Sequence, residues 1–126
     1  FEEVGSTSQS GRQGTAVVLA ADAGARASLS GLVPALPDDP DRVPLAAFQG
    51  QQRSGGYAIR IERIVREGDV LTVHARFVEP GPGDIVTMAL TSPAQVVAVA
   101  RADVEGVTTV VLIDQDGTER ARSGGR

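Results

Sequence analysis

The clearest pattern in the chain begins at Tyr57. Tyr57, Ile59 and Ile61 share one side of an extended segment, and Arg60 and Glu62 take the other. A period of two is the mark of a half-buried strand. Residues 66–69 (REGD) carry turn chemistry around Gly68. Beyond them Leu71, Val73, Ala75 and Phe77 alternate with Thr72, His74 and Arg76. The two runs predict one long antiparallel hairpin from Gly56 to Glu79. Its register follows from the alternation, because a slip of one residue would turn Phe77 outward.

The other elements are read from unbroken apolar runs. Residues 15–20 (TAVVLA) read as a buried strand, 43–49 as an extended segment and 95–100 (QVVAVA) as a further strand. Residues 80–84 (PGPGD) break the hairpin's second strand, and residues 85–90 (IVTMAL) are expected to resume it. Residues 107–114 are expected to pair with 118–122 across a turn at Asp116 and Gly117. Residues 23–33 predict a short helix with Ala25, Leu29, Leu32 and Val33 on one face, capped by Asp22 and stopped by Pro34. Residues 34–44 (PALPDDPDRVP) and 50–56 (GQQRSGG) are loops, residues 1–14 are an apolar start followed by a polar stretch, and the last four residues fray. The expected fold is α+β or mainly β: an antiparallel sheet or small sandwich of about six to seven strands with one short helix.

Composition narrows the function. A length of 126 residues fits a single domain spanning 1–126. Within it, 1–47 supplies a strand, a helix and the Pro/Asp loop, 48–101 the central part, and 102–126 an added hairpin and tail. There is no cysteine, which excludes a disulfide framework, a thiolate zinc site and a cysteine nucleophile. The net charge is −4, whereas a nucleic-acid footprint needs a basic face, so no nucleic-acid partner is expected. All basic residues are Arg, a bias of the kind a GC-rich genome produces. No apolar run approaches the length of a membrane-spanning helix. Because the chain opens on Phe1 and not Met, its N-terminus is expected to have been processed or trimmed, with a signal peptide and a lipid anchor both open as what preceded it.

Chemistry-bearing residues are few. The lone histidine, His74, falls mid-strand on the polar side of the hairpin and reads as a surface residue. A triad would need a nucleophile within its reach, yet Ser54 sits in RSGG, which is not a nucleophile elbow. Asp38, Asp39 and Asp41 crowd the proline loop; clustered carboxylates can hold calcium, but a solvated acidic loop is the expected reading. The DQDG at 114–117 opens like a calcium loop, yet its twelfth position is Gly125 where a Glu is required, so it reads as a turn. Without tryptophan, and with one tyrosine, the chain has no aromatic platform for sugars. The glycine-rich stretches lack the Lys and Ser/Thr of a phosphate loop. No catalysis, no cofactor and no metal are expected.

What remains are two loops beside the hairpin. Gln52, Arg53, Ser54, Gly55, Gly56 and Tyr57 form the first, where adjacent glycines permit positive φ or close approach of another backbone. Pro80, Gly81 and Pro82 stiffen the second, and a stiff loop loses less entropy on binding. These nine residues are the candidate partner-binding set.

The sequence also carries a resemblance. FQGQQRSGGYAIRIERI (48–64) and LTVHARFVEPGPGDIVTMALTSPAQVVAVAR (71–101) contain a Gly-Gly-Tyr, a Pro-Gly-Pro-Gly break and a Thr-x-Ala-x-Thr-x-Pro stretch. In these it resembles the C-terminal domain of the PrcB family, named for a subunit of a bacterial surface protease complex. Met88 and Ala94 stand where such proteins often have a Gln and an aromatic residue. The resemblance implies an extracytoplasmic, secreted or lipid-anchored protein that binds another protein, a protease among the candidates, and stabilises it. Two further readings stay open: a protease inhibitor presenting the QRSGGY loop, similar in outline to chagasin-type inhibitors, and a purely structural domain of an envelope protein.

Overall fold

The strands differ in pattern because they differ in how many faces they bury. In the computed structural model, which describes residues 1–20, 23–31 and 41–124, β1 (Glu2–Thr7), β2 (Ala16–Leu19), β3 (Arg42–Phe48) and β6 (Ala94–Ala100) form one antiparallel sheet. β4 (Ala58–Glu67), β5 (Val70–Val78), β7 (Thr109–Ile113) and β8 (Glu119–Gly124) form a second. The strand orders are β1-β6-β3-β2 and β4-β5-β7-β8. Among the described residues the helices are α1 (Ala23–Ser30) and the single turn α2 (Arg101–Val104).

The central strands β3 and β6 are buried on both sides, which is why their sequences are nearly continuous apolar runs. Val43, Leu45, Ala47, Val97 and Val99 face the second sheet. There they meet Ile59, Ile61, Val73, Ala75, Phe77 and Leu112. On the opposite side Ala46, Phe48, Ala94 and Val96 pack in a smaller core with Ala20 and with Leu29 of α1. β4 and β5 bury one face only, and they alternate.

The hairpin forms as the sequence requires. Ile59 pairs with Phe77 and Glu67 with Val70, with a bulge between Ile61 and Arg63. Gly68 turns the chain at φ +64°. The 107–122 hairpin also forms, as β7 and β8, and β7 lies parallel to β5. Past the end of β7 the Gln115 amide takes over the pairing with Phe77: its Oε1 accepts from Phe77 N at 2.9 Å, and its Nε2 donates to Phe77 O at 3.0 Å.

Three expectations need correction. Residues 1–14 contain a strand, β1, which pairs with β6, so the expected β-rich fold holds with eight strands among the described residues, against about six to seven read from the sequence. Residues 85–90 do not resume a strand; they run across the surface with no ladder partner. The single-turn helix α2 was not anticipated. The expected cap Asp22, the helix-end residues Leu32, Val33 and Pro34, the loop carboxylates Asp38 and Asp39, and Gly125 lie outside the described residues. Asp41 is an exposed turn residue whose carbonyl accepts from Arg101 N at 2.8 Å.

The inter-sheet layer ends at two buried glutamines. Gln95 Oε1 accepts from Ile61 N, and Gln49 Nε2 donates to Val78 O at 3.1 Å. They mark the end of the sandwich where β4 begins and β5 stops.

Candidate functional site

The loops that leave β3 and β5 meet at this end. Gln52 and Thr91 exchange backbone hydrogen bonds, 2.7 Å one way and 3.0 Å the other. Thr91 Oγ1 donates to Ser54 O at 2.8 Å, and Gly55 N donates to Thr87 O at 2.9 Å. Residues 52–55 are thus laced to residues 87–91 by four bonds.

Both glycines are required by that closeness. A Cβ on Gly55 would stand 2.6 Å from Thr87 Oγ1. Gly56 has φ +88°, and a Cβ there would stand 2.8 Å from Val86 Cγ1 and 2.9 Å from Pro80 Cβ. The expectation of positive φ or close backbone approach holds, and the second loop is what approaches. The PGPGD turn closes on itself: Gly81 N donates to Asp84 Oδ2 at 2.6 Å, and Asp84 N to Gly81 O at 3.0 Å.

The nine candidate residues therefore divide. Ser54 is buried, its hydroxyl donating to Gly55 O at 3.0 Å. Gln52, Gly55, Tyr57 and Pro80 are half-buried, and Gly56, though exposed by area, is bounded by Val86 and Pro80. Arg53, Gly81 and Pro82 are exposed. The two loops lie side by side, and most of the first serves as a base for the second.

What the second loop offers to solvent is apolar. Ile85 is 102% exposed, Met88 86% and Leu90 59%. Singly, exposed aliphatics need no explanation, but three within six residues of one loop concentrate apolar surface of the kind interaction sites use. The sequence placed these residues in a strand, so this feature was missed. Met88, flagged as a departure from the family pattern, is on the surface, whereas Ala94 is buried in the smaller core.

A third segment completes this end. Ser10 N and Gly11 N donate to Ser92 O and Ser92 Oγ at 2.9 and 2.8 Å, and Gln51 N donates to Gln13 O at 2.8 Å. Gly50, at φ +91°, lets the backbone of Gln13 and Gly14 pass within about 3 Å of where a Cβ would stand. The Arg12 guanidinium lies over the Phe48 ring, 4.7 Å from its centroid. Between these segments is a cavity of about 170 Å³ walled by Arg12, Gln13, Gln51, Leu90 and Ser92. A larger cavity of about 350 Å³, bordered by Phe1, Ile64, Leu71 and Val104, lies at the other end of the sandwich, away from every candidate residue.

Charge is unevenly placed. The stretches 4–20, 43–61 and 85–102 contain Arg12, Arg53, Arg60 and Arg101 and no carboxylate, in a chain of net charge −4. Glu79 and Asp84 are the acids of the second loop. Elsewhere, His74 is half-buried on its strand, 3.4 Å from Arg63, as expected of a surface strand residue. Among the described residues no group of three or more His, Asp or Glu side chains gathers as metal ligands would. No described helix is long and apolar enough to cross a membrane.

Neither the curated proteins nor the solved structures compared with this chain match it. One protein-family model does, and its span runs from the middle of β3 through the hairpin and both laced loops to the end of β6. Residues 45–100 match the PrcB C-terminal family, as the motifs within residues 48–101 led one to expect.

Proposed function

We propose that the chain is a non-catalytic, extracytoplasmic binding module whose partner is another protein. The observation that carries this reading is the exposed aliphatic set Ile85, Met88 and Leu90, held on a base of laced loops. A long loop in a compact domain is commonly functional. This one spends backbone bonds on fixing its root and leaves its apolar side chains outside. The match to the PrcB C-terminal family makes a protease-complex component the natural partner class. A partner that binds the native protease and not its unfolded chain stabilises it by mass action.

The inhibitor reading is less well supported. An inhibitor that plugs a protease cleft must project its loop, whereas Ser54 is buried and Gly55 and Gly56 press against Thr87, Val86 and Pro80. Arg53 is the one side chain of QRSGGY that stands clear.

The test is affinity capture from envelope and secreted fractions of the native organism. The baits are the wild-type chain and the triple variant Ile85→Ser, Met88→Ser, Leu90→Ser. These positions are exposed, so the fold should tolerate the change. Replacing Gly55 or Gly56 would instead disturb the base. The reading requires a protein retained by wild type and lost by the variant. If both baits retain the same set, the loop is structural and the reading fails.

A further inference from the structure

We propose that the cavity at Arg12 receives a carboxylate side chain of the partner protein, while an adjacent apolar residue of that partner rests on Leu90 and Met88. The inference rests on the binding-module reading and adds the chemistry of what is bound.

Arg12 is prepared for such a contact. The Arg12 guanidinium carbon lies over the Phe48 ring, 4.7 Å from its centroid, a contact that consumes none of its N–H donors. The ion pairs among the described residues are Arg42 with Glu2, Arg76 with Glu62, Arg120 with Asp114 and Arg122 with Glu119, so Arg12 has no carboxylate there. The side-chain amides of Gln13 and Gln51, on the same wall, make no hydrogen bond to any described residue. A planar fork of donors flanked by amides matches a carboxylate, which Arg can bind through two parallel hydrogen bonds. The recess is framed by the bond from Gly11 N to Ser92 Oγ and the backbone bond from Gln51 N to Gln13 O.

Leu90 joins the two halves of the site, since it walls the cavity and is also part of the exposed aliphatic set. Met88 is two residues away, within roughly 7 Å along the chain. An acidic residue and its apolar neighbour on one partner segment span that distance.

Charge complementarity favours the same occupant. The segments forming the cavity carry Arg and no acid, while the whole chain is net negative. A single carboxylate is thus attracted at the cavity lining itself, where Arg12 stands without an acid, and that local match fixes orientation. The competing occupant is an anionic lipid surface, into which Ile85 and Met88 would insert. Membrane attachment of that kind recruits clusters of basic residues. Here the exposed loop has Glu79 and Asp84 at its root, and the net charge of −4 opposes approach to an anionic surface.

The test uses the full chain and a phage-displayed library of random peptides. The enriched peptides should share an Asp or Glu one or two positions from a large apolar residue. For the best of them, Arg12→Gln should weaken binding about tenfold, as expected for a hydrogen bond to a charged group, and Arg12→Lys should recover part of it. Replacing the peptide's own acid by its amide should cost the same on wild type and nothing further on Arg12→Gln. That arm needs no change in the protein. Enriched peptides without an acid, or indifference to losing it, would overturn the inference. If such peptides still lose binding in the Ile85, Met88, Leu90 triple-serine variant, the binding-module reading survives without the carboxylate. No enrichment, together with sedimentation on phosphatidylcholine–phosphatidylglycerol vesicles that Met88→Ser abolishes, would overturn both.

Discussion

Gly56→Ala should destabilise the protein far more than an ordinary glycine replacement. Gly56 has φ +88°. An L-residue in left-handed backbone costs about 1–2 kcal/mol. The added methyl would also stand 2.8 Å from Val86 Cγ1 and 2.9 Å from Pro80 Cβ, inside contact distance. Overpacking of that kind costs about 1–3 kcal/mol. The expected loss is about 2–5 kcal/mol, the sum of the two effects. Gly68→Ala is the control: its φ is +64°, and nothing lies within 4 Å of its added Cβ. It should lose only the backbone component, about 1–2 kcal/mol. The difference between the variants therefore reads the contact between the two loops. Val86→Ala made in the Gly56→Ala background removes one of the two obstacles and should recover part of the loss. The assay is urea unfolding followed by circular dichroism, comparing midpoints at constant slope. Equal losses at Gly56 and Gly68, or strict additivity with Val86→Ala, would refute the packing described.

Three further outcomes follow from the same bonds. Gln95→Leu leaves Ile61 N without its acceptor and should cost about 1–3 kcal/mol. Gln49→Met should cost less, because Gln49 Oε1 has no partner among the described residues and Val78 O lies at a solvent-accessible position; urea midpoints compare the two. Gln115→Ala removes the amide that completes the ladder at Phe77, so hydrogen exchange at the Phe77 amide should quicken while that at Val73 stays slow. The Asp114 carboxylate is held below the ordinary aspartate range, chiefly by the Thr118 N–H, against a desolvation that pushes it up, with the Asp116 N–H and Arg120 also lowering it. A lowered folded value means that its contribution is whole above the ordinary value, about 3.9, and is lost as pH falls through the folded one. Asp114→Asn should therefore flatten the acid limb of stability against pH below that value.

The legible parts of the fold were those whose pattern reflects local surroundings. β4 and β5 have one wet face, so Ile59, Ile61, Val73 and Phe77 alternate with charged and polar neighbours. β3 and β6 have none, so they read as apolar runs. β1 was hidden because EEVGST has no apolar period; its backbone bonds to β6 hold it, across a bulge between Glu3 and Gly5. Residues 85–90 mislead for the opposite reason. Hydrophobicity suggests a strand, but a strand also needs a neighbour, and β4 and β7 already occupy both sides of β5. Gly55 and Gly56 announced a close approach, yet that Thr87, Val86 and Pro80 make it depends on residues about thirty positions away. Arg12 carried no local signal, because the cavity it walls is assembled with Gln51 and Leu90, distant in sequence.

The most direct test of the account is site-specific photocrosslinking in the native envelope fraction. A photoreactive residue is placed at Met88 in one variant and at the exposed Glu105, just after α2, in another. The account predicts a discrete protein adduct from position 88 and none from position 105. An adduct from position 105 alone, or identical adducts from both, would contradict the assignment of the laced-loop end as the binding surface.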